Sequence, residues 1–194
     1  MKDAAADFAS ADEAKNDPLG AINGSVIPAL DDVGRDYEAG KAFLPRLIAC
    51  AEAAGRVFDV LSPYFAVDEK KTAGKVVIAT VRGDAHDIGK NIVGLLLRSH
   101  GFEVTDLGKD VPPEAVLDAV RRTGAGLVGL SALMTTTLPS MEDTVRLLKK
   151  ETPGVKIMVG GAVLTQEYAD LIGADGYSAD GISAVRLAER LTEN

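Results

Sequence analysis

The sequence predicts an α/β protein in which a doubly wound, five-stranded parallel sheet follows a small all-helical domain. From residue 75 onwards, short apolar runs rich in β-formers alternate with stretches of helical spacing, and the connections between them are short. Before residue 68, apolar residues recur at helical spacing instead. We therefore expect a helical domain at 1–67, a linker at 68–74 and an α/β domain at 75–194.

The helical domain is expected to contain two clear helices. Residues 1–20 are polar and alanine-rich, and their weak periodicity leaves a frayed helix and a disordered segment both open. From about residue 23 to 38, one helical face carries Val26, Leu30, Val33 and Tyr37. Gly40 then marks a stop, and a second helix is predicted at about 43–65.

The α/β domain is expected to contain five βα units. Strands are predicted at 75–81, 102–108, 127–133, 156–161 and 174–178. Helices are predicted from Ile88, at 112–123, at about 138–151, at 165–172 and through Leu191. We expect the flavodoxin-like strand order 2-1-3-4-5, which puts the switch point between strands 1 and 3, where ligands of such sheets bind.

Composition excludes several classes of function. The 194 residues carry a net charge of −8, which argues against a nucleic-acid partner. No apolar run approaches the roughly 20 residues of a membrane helix, and the N-terminus lacks the apolar core of a signal peptide. Cys50 is the single cysteine, so an internal disulfide is excluded. We expect a cytoplasmic protein without a membrane partner.

The segment "RGDAHDIGKNIVG" (82–94) leaves the first predicted strand and opens a helix. It lacks the G-x-G-x-x-G of dinucleotide binding, and it misses the phosphate-binding P-loop by one residue of spacing. Two histidines and one cysteine, widely spaced, make a zinc site improbable. An ordinary turn histidine stays an open interpretation of His86. Its place at a strand exit and its neighbour Asp84 favour a ligand that a carboxylate orients.

Two further loops are expected to meet this segment. The exit of strand 3, "SALMTTTLPSM" (131–141), is rich in hydroxyl groups, and strand 4 ends in Gly160-Gly161. A helix N-cap is an alternative explanation of the threonines, and a tight turn is an alternative explanation of the two glycines.

Together these residues read D-x-H-x-x-G, then S-x-L, then G-G. In motif and spacing the pattern resembles the cobalamin-binding signature of corrinoid methyltransferase proteins, which include the cobalamin module of methionine synthase. The resemblance covers roughly residues 22–194, and "GKAFLP" (40–45) with the helix before it resembles that family's helical cap. The family cap is usually a four-helix bundle, so the first cap helix here is expected to be short, degraded or absent.

The resemblance implies cobalamin as cofactor, as methylcobalamin and cob(I)alamin, with His86 as the lower axial cobalt ligand and the benzimidazole tail displaced. Asp84 would accept the other ring N–H of His86, and Thr137 would hydrogen-bond to Asp84. The remaining cofactor-binding residues fall in three groups. Asp87, Ile88 and Gly89 would complete the histidine segment. The nucleotide tail would be lined by Ser131, Leu133, Thr135, Gly160 and Gly161. Tyr37 and Leu44 would cover the upper corrin face.

The implied function is that of a methyl carrier without catalytic residues of its own, in which Asp84 and Thr137 tune the ligand. Its partners would be a methyltransferase specific for the methyl donor, a second methyltransferase for tetrahydrofolate or a thiol acceptor, and a reductive activator. A cobalamin-dependent sensor or regulator and a cobalamin-binding fragment of a methionine synthase remain alternatives.

Overall fold

The computed structural model describes residues 2–64 and 73–193. The chain divides into two compact units, residues 1–66 and 67–194. Except for Ala73 and Gly74, the predicted linker at 68–74 lies outside the described residues.

The first unit is helical from its start. Its helices are α1 (Lys2–Ser10), α2 (Asp12–Asn16), α3 (Pro18–Ala21), α4 (Ile27–Glu38) and α5 (Leu44–Leu61), followed by a 3-10 turn at Ser62–Tyr64. Helices α1 and α4 each pack against α5. The buried residues of this unit include Ala9, Ile22, Val26, Ala54, Val57, Phe58 and Leu61. The described part of residues 1–20 is thus mostly helical.

A π-helical turn at Ile22–Val26 joins α3 to α4 and makes one continuous helix from Pro18. The Asp17 side chain accepts a hydrogen bond from the Gly20 N–H at 2.8 Å, which caps this helix five residues before the predicted start. Pro28 has no N–H to offer the preceding turn, and the Ile27 N–H reaches back five residues to the carbonyl of Ile22.

The second unit contains a five-stranded parallel sheet of order β2-β1-β3-β4-β5, as predicted. The strands are β1 (Gly74–Thr80), β2 (Phe102–Asp106), β3 (Leu127–Ser131), β4 (Lys156–Gly160) and β5 (Gly176–Ser178). Several end one or two residues earlier than expected, because the chain turns into loops at the carboxyl edge of the sheet.

Helices cover both faces of this sheet. They are α6 (Ile88–Ser99), α7 (Pro113–Thr123), α8 (Leu138–Glu151), α9 (Gln166–Ile172) and α10 (Gly181–Thr192). One face packs Val77, Ala79, Val128 and Leu130 against Val116, Met141, Val145 and Leu148. On the other face α6 lies so close that a Cβ at Gly94 would come within 2.7 Å of Ile78. The carboxyl edge is the end of the sheet at which its loops can meet a ligand.

Candidate cofactor site

The histidine loop, residues 83–87, connects the end of β1 to α6. The Val81 N–H donates to the carbonyl of Ser131 at 3.1 Å, which keeps the exits of β1 and β3 side by side. The Asp84 N–H then donates to the carbonyl of Val81 at 3.1 Å and turns the chain inwards. As a result the Asp84 side chain is fully buried, whereas two residues later the His86 side chain is 52% exposed.

The Asp84 carboxylate joins the histidine loop to the exit of β3. Its Oδ1 accepts the His86 backbone N–H at 2.9 Å and lies 2.8 Å from Nδ1 of the His86 ring. Its Oδ2 accepts the backbone N–H groups of Leu133 at 2.6 Å and Met134 at 3.3 Å. It also lies 3.2 Å from the Thr137 hydroxyl, whose one proton is shared with the carbonyl of Met134 at 2.8 Å. One buried side chain therefore fixes both loops and the imidazole together.

Burial alone would raise the pKa of Asp84, but the backbone N–H groups of Leu133 and His86 and the His86 ring outweigh it. The pKa of this carboxyl consequently lies below its ordinary value of 3.8. Within residues 2–64 and 73–193, no lysine or arginine pairs with the carboxylate. N–H and O–H dipoles stabilise its negative charge. The charge remains available to interact with the imidazole.

The ionised carboxylate decides the orientation of the His86 ring protons. Because a carboxylate can only accept, Nδ1 must be the protonated nitrogen of the neutral ring. The lone pair then lies on Nε2, on a half-exposed side chain. A buried acceptor behind an outward-facing ring nitrogen is the arrangement of a histidine that ligates a metal.

A row of small residues crosses the carboxyl edge of the sheet beside this loop. Thr80 pairs in register with Ser131, Ser131 with Gly160, and Gly160 with Ser178. Residues paired this way point to one face of a parallel sheet. The Thr80 hydroxyl is buried and has no hydrogen-bond partner within residues 2–64 and 73–193. Four strands thus end in small or polar residues. A flat polar ligand could occupy the space that larger side chains would fill at this edge.

Sequence reasoning found Ser131 and Gly160 but missed Thr80 and Ser178. The available signal was the strand order itself, because both residues are last in their strands and fall at the level of Ser131 and Gly160.

Gly161 holds the exits of β3 and β4 together. Its φ is +133°, and a Cβ there would lie 1.9 Å from the carbonyl oxygen of Ala132. The Ala132 N–H in turn donates to the carbonyl of Gly160 at 3.2 Å. Close approach of the chain to itself therefore accounts for glycine at position 161.

Comparison with known proteins assigns the family. Two models described as a B12 binding domain match the chain, one over residues 74–186 and the other over residues 2–62. The chain belongs to the B12-binding corrinoid proteins. Its cofactor is cobalamin.

Similar proteins cover most of the chain. Dimethylamine corrinoid protein 1 of Methanosarcina acetivorans is 41% identical over 189 residues, which are 95% of this chain and 89% of the relative. The structure of the Methanosarcina barkeri monomethylamine corrinoid protein has a TM-score of 0.81 and 32% identity, covering 89% of this chain and 82% of that one. The methanol:cobalamin methyltransferase complex MtaBC of Methanosarcina barkeri has a TM-score of 0.60 and 32% identity, covering 98% and 73%.

The other predicted site residues of this corrinoid protein lie around the same edge. Leu133 is 41% exposed, Thr135 is exposed at the start of a 3-10 turn, and Asp87 and Ile88 are half-buried. A Cβ at Gly89 would meet nothing within 4 Å, so the space above it is open to a ligand. The side chains of Tyr37 and Leu44 lie outside the described part of the structure.

The described residues contain no group of three or more histidine, cysteine, aspartate or glutamate side chains placed to hold a metal ion. Among the same residues, no helix is long and apolar enough to cross a membrane.

Proposed function

We propose that this corrinoid protein carries a methyl group on cobalamin between partner methyltransferases, with His86 as the lower axial ligand and the benzimidazole tail displaced. The observation that carries this proposal is the buried Asp84 carboxylate behind Nδ1 of a half-exposed imidazole. An imidazole held in this way presents a lone pair in a fixed direction, and this lowers the entropic cost of coordination.

Bound cobalamin supplies a cobalt that can accept and release a methyl cation. The chain supports this chemistry through three residues. Asp84 keeps the ring proton at Nδ1, so Nε2 stays available, and the Thr137 hydroxyl donates to the opposite oxygen of the same carboxylate. Because the two oxygens of one carboxylate serve both contacts, Thr137 adjusts how strongly Asp84 polarises the His86 ring.

The nucleotide tail would lie along the carboxyl edge, against Ser131, Leu133, Thr135, Gly160 and Gly161. Support comes from the in-register row of small residues, the Thr80 hydroxyl, which has no partner among the described residues, and the open space above Gly89.

We further propose a methylated amine as the methyl source. Relatives at 41–42% identity are named dimethylamine corrinoid proteins, and the solved relative with a TM-score of 0.81 is a monomethylamine corrinoid protein. A donor-specific methyltransferase would load the cofactor, a second methyltransferase would pass the methyl group to tetrahydrofolate or a thiol, and a reductive activator would restore oxidised cobalt. Methyl transfer from loaded protein to each acceptor, with candidate partner enzymes added singly, tests this part.

The ligand assignment is tested by His86→Ala. We expect the variant to retain much of its cobalamin affinity, since the tail contacts remain, but to show a shifted absorbance spectrum because the axial nitrogen is lost. His100→Ala is the matched control, since His100 is an exposed histidine at the far end of α6 whose ring contacts the carbonyl of Leu96. A bound spectrum that His86→Ala leaves unchanged would remove His86 as the ligand.

A further inference from the structure

Asp110 has a left-handed backbone conformation, which residues other than glycine adopt uncommonly. Its φ is +56°, and it is the one non-glycine residue with positive φ in the described ranges 2–64 and 73–193. Aspartate adopts this conformation more readily than most residues, but it is still uncommon, and residues held in it concentrate at functional sites. Asp110 lies in the loop that leaves β2, a segment to which the sequence analysis gave no role.

The contacts of Asp110 are directed at the histidine loop. Its backbone N–H donates to the carbonyl of Asp84 at 3.0 Å, and its carboxylate accepts the Gly83 N–H at 2.7 Å. The donor and the acceptor of one residue thus hold two consecutive residues of the loop, which restrains rotation as well as distance. His86 follows two residues after Asp84, so this hold fixes the base of the segment that carries the ring.

The same β2 exit also holds the other side of the histidine loop. Lys90, in the first turn of α6, is nearly buried, and its Nζ lies 2.6 Å from both carboxylate oxygens of Asp106. The Gly108 N–H donates to Asp106 Oδ1 at 2.8 Å and ties this ion pair into the loop that leads to Asp110. Along the chain, His86 therefore lies between Gly83-Asp84 and Lys90, and residues at the exit of β2 bind both of these positions.

We propose that Asp110 is a positioning residue for the axial histidine: its carboxylate and its left-handed backbone hold Gly83 and Asp84 so that the His86 ring keeps its ligating orientation. This inference deepens the proposed function and rests on it. Asp110 is itself exposed, so its side chain adds little to core packing. The left-handed conformation points the Asp110 N–H and carboxylate at the histidine loop, and the two hydrogen bonds that result offset its strain.

Three substitutions separate positioning from folding. Asp110→Asn keeps an oxygen acceptor and tolerates the left-handed region, so it should behave like the wild type. Asp110→Gly keeps the backbone conformation and the N–H donor but removes the acceptor. Asp110→Ala removes the acceptor and also disfavours the conformation. Lys109→Ala, at the exposed neighbouring position, is the control for the loop.

Two readouts are needed. In cobalamin-free protein, amide hydrogen exchange at residues 83–86 should accelerate about tenfold in Asp110→Gly, the effect of losing one hydrogen bond, while the melting temperature holds or rises. In cobalamin-loaded protein, the absorbance of Asp110→Gly and Asp110→Ala should move towards that of His86→Ala, and Asp110→Asn should restore it.

The inference is overturned if Asp110→Gly leaves both readouts at wild-type values. It is also overturned if exchange accelerates over the whole α/β unit together with a lower melting temperature, because that describes a purely structural role. A failure of the proposed function looks different: His86→Ala would then leave the loaded spectrum unchanged, while exchange at residues 83–86 still reports whether Asp110 holds the loop.

Discussion

Two shielded carboxylates of the α/β unit, Asp84 and Asp175, lie at opposite edges of the sheet and are stabilised in different ways. Asp84, at the carboxyl edge, is fully buried and accepts hydrogen bonds from three backbone N–H groups, one hydroxyl and one imidazole. Asp175, just before β5 at the amino edge, has a side chain that is 17% exposed. Both carboxyls have pKa values lowered from 3.8.

The partners of Asp175 are mainly cationic. Its Oδ2 lies 2.6 Å from Nζ of Lys149 and accepts the Ile157 N–H at 2.8 Å, and its Oδ1 lies 3.6 Å from Nζ of Lys156. Two lysines neutralise this charge, and the three side chains tie α8, β4 and β5 together. Nothing in the arrangement leaves a group free to act on a ligand.

The contrast separates a carboxylate held by lysines from one that faces an imidazole. A neutralising lysine beside Asp84 would compete with the His86 ring for the carboxylate, whereas backbone N–H groups are fixed dipoles that stabilise the charge without cancelling it. The remaining negative field acts on Nδ1 of His86. The low pKa of each carboxyl alone does not distinguish these roles; the identity of the donors does.

The largest expected effect is that of Asp84→Ala. It leaves the N–H groups of Leu133, Met134 and His86 without their acceptor, so we expect a loss of about 3 kcal/mol in the free energy of unfolding, together with an altered spectrum of the loaded protein. Asp175→Ala should cost less, about 2 kcal/mol, because its lysines can return to water and only the Ile157 N–H loses a buried acceptor, and it should leave the spectrum unchanged. Urea unfolding and absorbance measure both. Equal losses, or a spectral change in Asp175→Ala, would contradict the comparison.

The sheet order could be predicted because β-rich runs and short connections allow few parallel topologies. The helix from Pro18 was placed five residues too late, since its apolar spacing becomes clear only beyond the π-helical turn at Ile22–Val26. At the site, the motif predicted the contact between Asp84 and His86, which the structure shows, while their role towards the cofactor stays a prediction. Asp110 and Thr80 were not, because their importance comes from contacts with other strands and loops that spacing along the chain does not encode.

A smaller effect is expected at Thr137, the hydroxyl partner of Asp84. This residue is 4% exposed, and its hydroxyl lies 2.8 Å from the carbonyl of Met134 and 3.2 Å from Asp84 Oδ2. Thr137→Val keeps the volume but loses the donor, so we expect a loss of about 1 kcal/mol in urea unfolding and a slight spectral shift in the loaded protein. Thr137→Ser should restore the spectrum. A spectrum that shifts equally in both variants would show that the packing of this side chain, and not its hydroxyl alone, affects the ring.

The smallest effect is a pH dependence that belongs to Asp175. Burial raises the pKa of this carboxyl, but Lys149, the Ile157 N–H and Lys156 together lower it below 3.8. A group whose pKa is lower in the folded state stabilises the fold above its unfolded pKa, and this contribution disappears as pH falls through the folded pKa.

Asp175→Asn should therefore be less stable than the wild type at neutral pH, by no more than about 1 kcal/mol, since its lysine partners are partly exposed. The difference should begin to shrink below pH 3.8, where the unfolded carboxyl takes up protons, and should disappear only as pH falls through the lower pKa of the folded state, where the folded carboxyl is protonated and resembles the amide. Urea unfolding between neutral and acidic pH measures it, with Asp143→Asn, half-exposed on α8, as the control. A difference that stays constant through acidic pH would mean that shape and hydrogen bonding, rather than charge, make Asp175 a scaffold residue, and the contrast with Asp84 would then rest on burial alone.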